Sequence, residues 1–238
     1  MHNRWKFQPA SEGGHDSASP YTPPPVRTAA GCLFELVETV VLTVVIFLVI
    51  QTLVAQPYKV EQHSMETTLL PDQYVLVDKL TPRFNAYARG DVIVFTPPAA
   101  YRGDGTPFIK RIIGLPGDRV DIHDGGVYID GVRLAEPYVR ADEPTEANGS
   151  TSSWVIGTGD LFVLGDNREN SSDSRVFGPV QRDSVVGRAW LRYWPLNAFG
   201  VLTHPSYPEL TQHAAIVRAR GETAGAAPHA LAALPRAS

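Results

Sequence analysis

The sequence contains very little cysteine: Cys32 is the only one among 238 residues. An intramolecular disulfide and a cysteine-based zinc site are therefore excluded. The chain also lacks an excess of basic residues, since its formal net charge is −4 and its pI is about 6.0. Because binding to nucleic-acid phosphates needs a clustered basic surface, this composition argues against a nucleic-acid partner.

Long apolar runs are also scarce, and the sequence has one, from Leu36 to Ala55. As an α-helix rising about 1.5 Å per residue, this run spans the roughly 30 Å hydrocarbon core of a bilayer. Its one strong charge, Glu38, lies near the helix start, where the helix dipole and the headgroups tolerate an anion. A cleaved secretory signal is the alternative, but such signals have an apolar core of about 7–15 residues and no long polar tail before it. We therefore predict a transmembrane helix at residues 32–56.

The segment before this helix, residues 1–31, is rich in proline, serine, glycine and charge and has no apolar period. We predict a flexible tail there. Arg4, Lys6 and Arg27 precede the helix and Lys59 follows it, so the excess of positive charge favours a cytoplasmic N-terminus. The expected protein crosses the plasma membrane once, with its larger domain outside the cytoplasm.

Residues 57–203 consist of short β-prone segments separated by turn-forming residues, which predicts an extracytoplasmic, mainly antiparallel β domain. The predicted strands are Tyr58–Gln62, Tyr74–Leu80, Asp91–Phe95, Phe108–Leu115, Arg119–His123 and Leu161–Leu164. The pair Asp130-Gly131 predicts a tight hairpin. Residues 204–238 are rich in alanine and poorly patterned, and we expect them to be disordered.

Ser64 is a candidate nucleophile only through its surroundings, because a serine in a loop is usually a turn former or a helix cap. It lies nine residues after Ala55. Even a fully extended linker, at about 3.3 Å per residue, would hold it within roughly 30 Å of the membrane surface. A reactive hydroxyl there would meet substrates that are themselves tethered to the membrane.

Lys110 lies within an apolar strand, beside Ile109, Ile112 and Ile113. A lysine in an edge strand usually faces water. An ordinary lysine, with a pKa of about 10.4, is neutral in only about 4 of 10,000 molecules at pH 7, so a role as a base requires burial. The sequence leaves open which face of the strand Lys110 occupies.

A polar loop, Gly165–Arg175, follows the buried-looking strand Leu161–Leu164. It could be an ordinary solvated turn. Its density of donors and acceptors behind a core strand also suits a site that orients a base and is braced by ion pairs.

The chain closely resembles the bacterial type I signal peptidases in four segments that occur in the same order. They are S-M-E at Ser64–Glu66, R-G-D-V-I-V-F at Arg89–Phe95, K-R-I-I-G-L-P-G-D at Lys110–Asp118 and G-D-N-R-E-N-S-S-D-S-R at Gly165–Arg175. The resemblance runs from the apolar helix to about Gly200. It implies the barrel-like antiparallel β fold of that family and a serine endopeptidase that needs no cofactor or metal. It also implies that signal peptides of exported preproteins are the substrates, with membrane lipid and the secretion machinery as further partners.

The resemblance also implies roles for single residues. Ser64 would be the nucleophile, Lys110 the general base, and Ser171 the hydroxyl that orients Lys110. Four further residues would form bracing ion pairs, Arg111 with Asp166 and Asp173 with Arg175.

Two positions depart from the family's pattern. Where the family often has a serine that donates to the oxyanion, this chain has Gln62. Either the Gln62 amide is the substitute donor, or the backbone N–H of Ser64 acts with less help. Where the family has a proline, this chain has Thr67. These departures motivate a second hypothesis, a catalytically silent, membrane-anchored β domain that serves as a binding or scaffold module. A self-cleaving repressor of the related Ser-Lys type would need a helical DNA-binding domain, for which the tail and the apolar helix leave no room.

Overall fold

The computed structural model describes residues 29–80, 86–101, 103 and 105–219. Most of the tail expected at residues 1–31 therefore lies outside the described residues. Helix α1 runs from Ala29 to Val49 and is followed by a π-helical turn, Ile50–Val54. Contacts group the chain into two units, one up to Val45 and one from Ile46.

Helix α1 and the turn after it are long and apolar enough to cross a membrane. The span Leu33–Val54 covers 22 residues with a mean hydropathy of 2.6, and none of it is buried. The hydroxyls of Thr39, Thr43 and Thr52 donate to the carbonyls of the residues four positions earlier. The hydroxyls of these three threonines are thus satisfied within the helix itself, as an apolar solvent requires.

Beyond the helix, the chain forms antiparallel strands in two sheets. The strands are β1 (Ala55–Lys59), β2 (Tyr74–Asp78), β3 (Val92–Phe95), β4 (Phe108–Gly114), β5 (Arg119–His123), β6 (Gly126–Ile129), β7 (Val132–Arg133), β8 (Ser153–Val155), β9 (Asp160–Leu164), β10 (Val180–Gln181), β11 (Val185–Trp194) and β12 (Gly200–Val201). The described residues also form two further helices, α2 (Ser174–Phe177) and α3 (Pro208–Ala219). The prediction of a mainly antiparallel β fold is confirmed.

The larger sheet has the strand order β1-β2-β11-β3-β4-β9-β10, with β12 beside β11, and the smaller sheet has the order β7-β6-β5-β8. Strand β4 lies between β3 and β9, so Lys110 pairs with Ile93 and Arg111 pairs with Leu164. Successive side chains of a strand point to opposite faces, yet both Lys110 and Arg111 are buried. Both faces of β4 are therefore covered.

The interior combines aliphatic clusters with large cationic side chains. Arg111, Arg168 and Lys110 are among the largest fully buried side chains, beside Phe95 and Phe162. Burying a charge is costly unless it is paired or neutralised. The three cations therefore need specific partners, and these partners lie around one site.

Tight turns connect the strands of the smaller sheet. The predicted hairpin at Asp130-Gly131 joins β6 to β7, with φ angles of 51° and 81°. Asp124-Gly125 joins β5 to β6 with φ angles of 48° and 68°. Aspartate and glycine tolerate this left-handed backbone, which matches the twist of paired strands.

The structure differs from the sequence-based prediction at several places. Strand β1 ends at Lys59, although the expected strand ran from Tyr58 to Gln62. Strand β11, the longest, was not predicted. The segment expected to be disordered from residue 204 contains helix α3, because Tyr207 and Leu210 pack against the cluster around Ile113.

Candidate active site

The two residues predicted to carry the chemistry meet in the structure. Ser64 lies in a short 3-10 turn, His63–Met65, and Lys110 lies in β4. The Lys110 Nζ donates to the Ser64 Oγ at 2.7 Å. The side chain of Lys110 has no exposed surface, and Ser64 is 5% exposed. A buried amine within hydrogen-bond distance of a nearly buried hydroxyl is the geometry of a base and its nucleophile.

The surroundings of Lys110 favour its neutral form. Burial lowers its pKa from the ordinary 10.5 to about 8, although the carboxylates of Asp173 and Asp166 act in the opposite direction. Its remaining hydrogen bond goes to the backbone carbonyl of Ile109 at 3.2 Å. With this pKa, about one tenth of the molecules carry a neutral amine at pH 7, far more than for an ordinary lysine.

A small cleft opens next to Ser64. Its lining includes Val60, Gln62, Met65 and Ile109, so apolar side chains and the end of β4 border the nucleophile. Gln62 itself is exposed. An extended peptide that enters this cleft would bring a carbonyl carbon next to the Ser64 hydroxyl. The buried Lys110 amine bonds to that hydroxyl from the interior of the domain.

The predicted contact between Ser171 and Lys110 is not made. The Ser171 Oγ is buried and has no hydrogen-bond partner among the described residues. It lies beside Gly165, where an added Cβ would also come within 2.5 Å of the Ser64 carbonyl oxygen. The Lys110 amine bonds to Ser64 and to Ile109 instead. Leaving a buried hydroxyl without a partner costs about 1–3 kcal/mol of folding free energy. The Ser171 hydroxyl is therefore available to form a hydrogen bond at the edge of the site.

Both predicted bracing pairs are present and buried. Arg111 binds Asp166 through two hydrogen bonds, at 2.8 and 2.7 Å, and their side chains are 2% and 1% exposed. Asp173 binds Arg175 through two hydrogen bonds of 2.9 Å each. Bidentate pairing supplies the compensation that buried charges need. The first pair ties β4 to the polar loop that starts at Gly165.

The described residues contain no group of three or more His, Cys, Asp or Glu side chains arranged to hold a metal ion.

Known proteins resemble this chain over most of its length. Residues 33–194 match the family model described as signal peptidase, peptidase S26. The chain belongs to this family.

Several curated members are similar to it. Signal peptidase I of Leptolyngbya laminosa is 38% identical over 199 residues, which cover 80% of this chain and 96% of that protein. Signal peptidase IB of Staphylococcus aureus is 31% identical over 195 residues, which cover 76% of this chain and 98% of that protein. A crystal structure of a signal peptidase I from Enterococcus faecalis is 37% identical and covers 44% of this chain and 97% of that one, with a TM-score of 0.34.

One departure from the S26 pattern has a conformational consequence. Thr67 stands where the family has a proline, and its φ is +54°. Proline is restricted to φ near −65°, so it cannot adopt this conformation. The Thr67 hydroxyl donates to the backbone carbonyl of Tyr138 at 2.5 Å. In this member of the S26 family, a side-chain hydrogen bond holds the turn after the nucleophile.

Sequence reasoning missed a third buried ion pair beside the S26 site. Arg168 donates to Glu136 at 2.6 and 2.9 Å, and its side chain has no exposed surface. Arg168 belongs to the quoted polar loop, but Glu136 lies in a segment without any recognisable pattern. The Arg168 Nε also donates to the carbonyl of Gly165 at 3.0 Å. This pair fixes the start of the polar loop.

Asn167 was also missed, although it connects the polar loop to the nucleophile turn directly. Its backbone N–H donates to the Ser64 carbonyl at 3.1 Å. Its side-chain amide donates to the His63 carbonyl at 3.1 Å and to the Glu66 carboxylate at 3.2 Å. The spacing between Ser64 and Asn167 gives no signal of this contact.

Proposed function

We propose that this protein is a membrane-anchored serine endopeptidase that removes N-terminal signal peptides from exported preproteins. Membership of the S26 family and the curated relatives named signal peptidase I support the reaction. The observation that carries the proposal is the 2.7 Å hydrogen bond between the buried Lys110 amine and the Ser64 hydroxyl. This pair supplies both the nucleophile and the base that the cleavage reaction needs.

The chemistry follows from this pair. Neutral Lys110 takes the proton of the Ser64 hydroxyl as Oγ attacks the carbonyl carbon of the scissile bond. The resulting oxyanion lies near the start of the 3-10 turn, where backbone N–H groups lack partners within the turn. Protonated Lys110 then gives its proton to the leaving amine, which leaves an ester on Ser64. A water molecule gives a proton to Lys110 and attacks the ester carbonyl. The acyl–Oγ bond then breaks, and Lys110 passes that proton to Ser64 Oγ, which restores both residues.

Residues around the pair have supporting roles in this proposal. The backbone N–H of Ser64 is one oxyanion donor, and the amide of Gln62 at the cleft rim is the second. Ser171 turns its unpaired hydroxyl toward Lys110 during the reaction. Arg111, Asp166, Asp173 and Arg175 hold the strand and the loop that carry these groups, without taking part in proton transfer.

The helix places this activity at the membrane. We propose that the apolar span up to Val54 anchors the protein in the plasma membrane with a cytoplasmic N-terminus, and that the β domain acts outside the cytoplasm. The predicted helix end at residue 56 is moved back because Ala55 and Gln56 pair with β2 in strand β1. The exposed apolar span Leu33–Val54 and the basic residues before it support this arrangement. Membrane lipid and the secretion machinery, which delivers preproteins, are then its neighbours.

The alternative of a silent binding module is not favoured. A scaffold gains nothing from a lysine whose burial lowers its pKa to about 8, because the same volume filled by an apolar side chain would be more stable. Perturbed groups of this kind cluster at functional sites.

Preprotein cleavage by single variants tests the proposal. We expect Ser64→Ala and Lys110→Ala to lower the cleavage rate by about a thousandfold or more while thermal unfolding remains cooperative. Ser150→Ala, in an exposed loop, is the matched control and should cleave normally. A serine-directed acylating inhibitor should label wild-type Ser64. Undiminished cleavage by Ser64→Ala would reject the mechanism, and an unlabelled, inactive wild type would favour the silent module.

A further inference from the structure

A segment beyond the family match contacts the bracing residues of the site. The match ends at residue 194. Residues 205–210, which we call the C-terminal segment, return to the catalytic domain, and the ring of Pro205 lies directly over Gly90. A Cβ on Gly90 would come 2.8 Å from the Pro205 Cγ. The carbonyl of Gly90 in turn accepts a hydrogen bond from Arg111 at 2.8 Å.

Tyr207 is the residue of this segment that reaches furthest toward the site. Its hydroxyl lies 3.1 Å from the hydroxyl of Tyr138, which also donates to Glu136 at 2.9 Å. Burial raises the pKa of both tyrosines, so both hydroxyls stay protonated and able to donate. The segment is fastened at its far end, where Glu209 accepts the backbone N–H of Ala135 at 2.9 Å.

Tyr138 contacts both sides of the catalytic pair. Its ring lies over the Arg111 guanidinium, 4.1 Å from the centroid, and Arg111 is the neighbour of Lys110 in β4. Its backbone carbonyl accepts the Thr67 hydroxyl at 2.5 Å, three residues after Ser64. One residue thus touches the strand of the base and the turn of the nucleophile.

The Thr67 contact holds a conformation that the residue would otherwise leave. A β-branched side chain is rarely found at positive φ, because its Cβ substituents crowd the backbone. Such a conformation persists only where the surrounding structure enforces it. At Thr67 the side-chain hydrogen bond to Tyr138 adds to the backbone bonds from Thr68 and Leu69 to the Met65 carbonyl, which close the same turn.

We propose that Tyr138 is a positioning residue for the Ser64–Lys110 pair, and that Tyr207 of the C-terminal segment holds Tyr138 in place. This inference rests on the proposed function and adds residues outside the recognised motifs to it. A shift of about 1 Å between nucleophile and base is enough to lower a rate by about a hundredfold. The series of contacts from Tyr207 through Tyr138 to Thr67 prevents such a shift.

Two variants that each remove one hydroxyl test this chain of contacts. Thr67→Val keeps the shape of the side chain and loses its bond to Tyr138, and Tyr207→Phe keeps the ring and loses its contact with the Tyr138 hydroxyl. We expect each variant to lower kcat for preprotein cleavage by about tenfold with KM within about twofold, because the pair is misaligned and the cleft is intact. Thr67→Ser restores the hydroxyl and should restore kcat.

Leu210→Ala is the matched control for loss of packing. Leu210 belongs to the same segment and packs against the same core as Tyr207, but its side chain has no hydroxyl to bond that of Tyr138. It should lower Tm and leave kcat unchanged. The inference is overturned if Thr67→Val and Tyr207→Phe keep wild-type kcat while folded, or if Leu210→Ala lowers kcat as much as they do. Failure of the proposed function would look different, because the wild type itself would then cleave no preprotein.

Discussion

The amine of Lys110 is the group at which activity and stability oppose each other. Its side chain is completely buried, and burial lowers its pKa to about 8. The base must be neutral to take a proton from Ser64. We therefore expect kcat/KM to rise about tenfold per pH unit below pH 8 and to level off above it. Steady-state cleavage measured from pH 6 to pH 10 checks this, and a flat profile between pH 6 and pH 8 would contradict it.

The same lowered pKa predicts that Lys110 destabilises the fold. Between pH 8 and about 10.5 the unfolded chain binds more protons at this residue than the folded chain, so stability rises with pH through this window. Below pH 8 the full penalty applies, about 3 kcal/mol. Lys110→Met removes this penalty and loses two hydrogen bonds of about 1 kcal/mol each. The variant should thus be inactive and about 1 kcal/mol more stable at pH 7.

Urea unfolding in detergent measures this difference directly. The gain of Lys110→Met should shrink at pH 10, where the wild-type amine is neutral in the folded state and less costly. A variant less stable than the wild type at pH 7 would show that Lys110 does not carry the penalty.

Single residues differ in how far the sequence reveals their roles. The motifs and their order predict the Ser64–Lys110 pair and the ion pair of Arg111 with Asp166. In the structure the two residues of each pair are in contact. The Ser171 hydroxyl does not reach Lys110, because its direction depends on the path of the whole polar loop. The sequence around Glu136 gives no sign of its role, because its ion pair with Arg168 exists only in the folded chain.

At the level of elements, strand β11 shows why patterns of alternation fail. It pairs with β2 on one side and β3 on the other, at the centre of the larger sheet. Its pairing register shifts between Val185 and Gly187, between Ala189 and Leu191, and between Arg192 and Trp194. Each irregularity changes which residues face the core. The regular strand β5, in contrast, alternates strictly and was predicted with its correct bounds.

The end of β9 approaches the nucleophile turn more closely than any side chain would allow. A Cβ on Gly165 would lie 2.5 Å from the Ser64 carbonyl oxygen and in contact with Ser171. Gly165→Ala should therefore push the turn away from Lys110 and lower kcat by about a hundredfold. Gly159→Ala is the control, because a Cβ there meets no atom within 4 Å.

Cleavage rates and Tm of the two glycine variants separate the effects. Gly159→Ala should match the wild type in both. If Gly165→Ala cleaved as fast as Gly159→Ala, the close approach of β9 would not matter for alignment of the pair.

At the scale of the whole molecule, the catalytic domain and the apolar span Leu33–Val54 require different surroundings. The catalytic domain buries its apolar side chains in clusters around Ile113, Val75 and Phe95. The apolar span Leu33–Val54 has a mean hydropathy of 2.6 and none of it is buried, so its many large apolar side chains are left without protein cover. A helix that is hydrophobic all round is stable only within a larger protein or a bilayer. This contrast, more than the length of the helix, argues for the membrane.

The proposed orientation makes a prediction about which parts of the chain are reachable from outside the cell. Cys32 is the only cysteine, so Cys32→Ala gives a background in which single cysteines can be placed. Ser150→Cys, in an exposed loop of the catalytic domain, should react with a membrane-impermeant maleimide added to intact cells. Ala10→Cys, in the N-terminal tail, should react only after the membrane is opened, because the basic residues retain that tail in the cytoplasm. If Ala10→Cys were labelled in intact cells and Ser150→Cys were protected, the domain with Ser64 would lie inside the cell, and exported preproteins would not reach it.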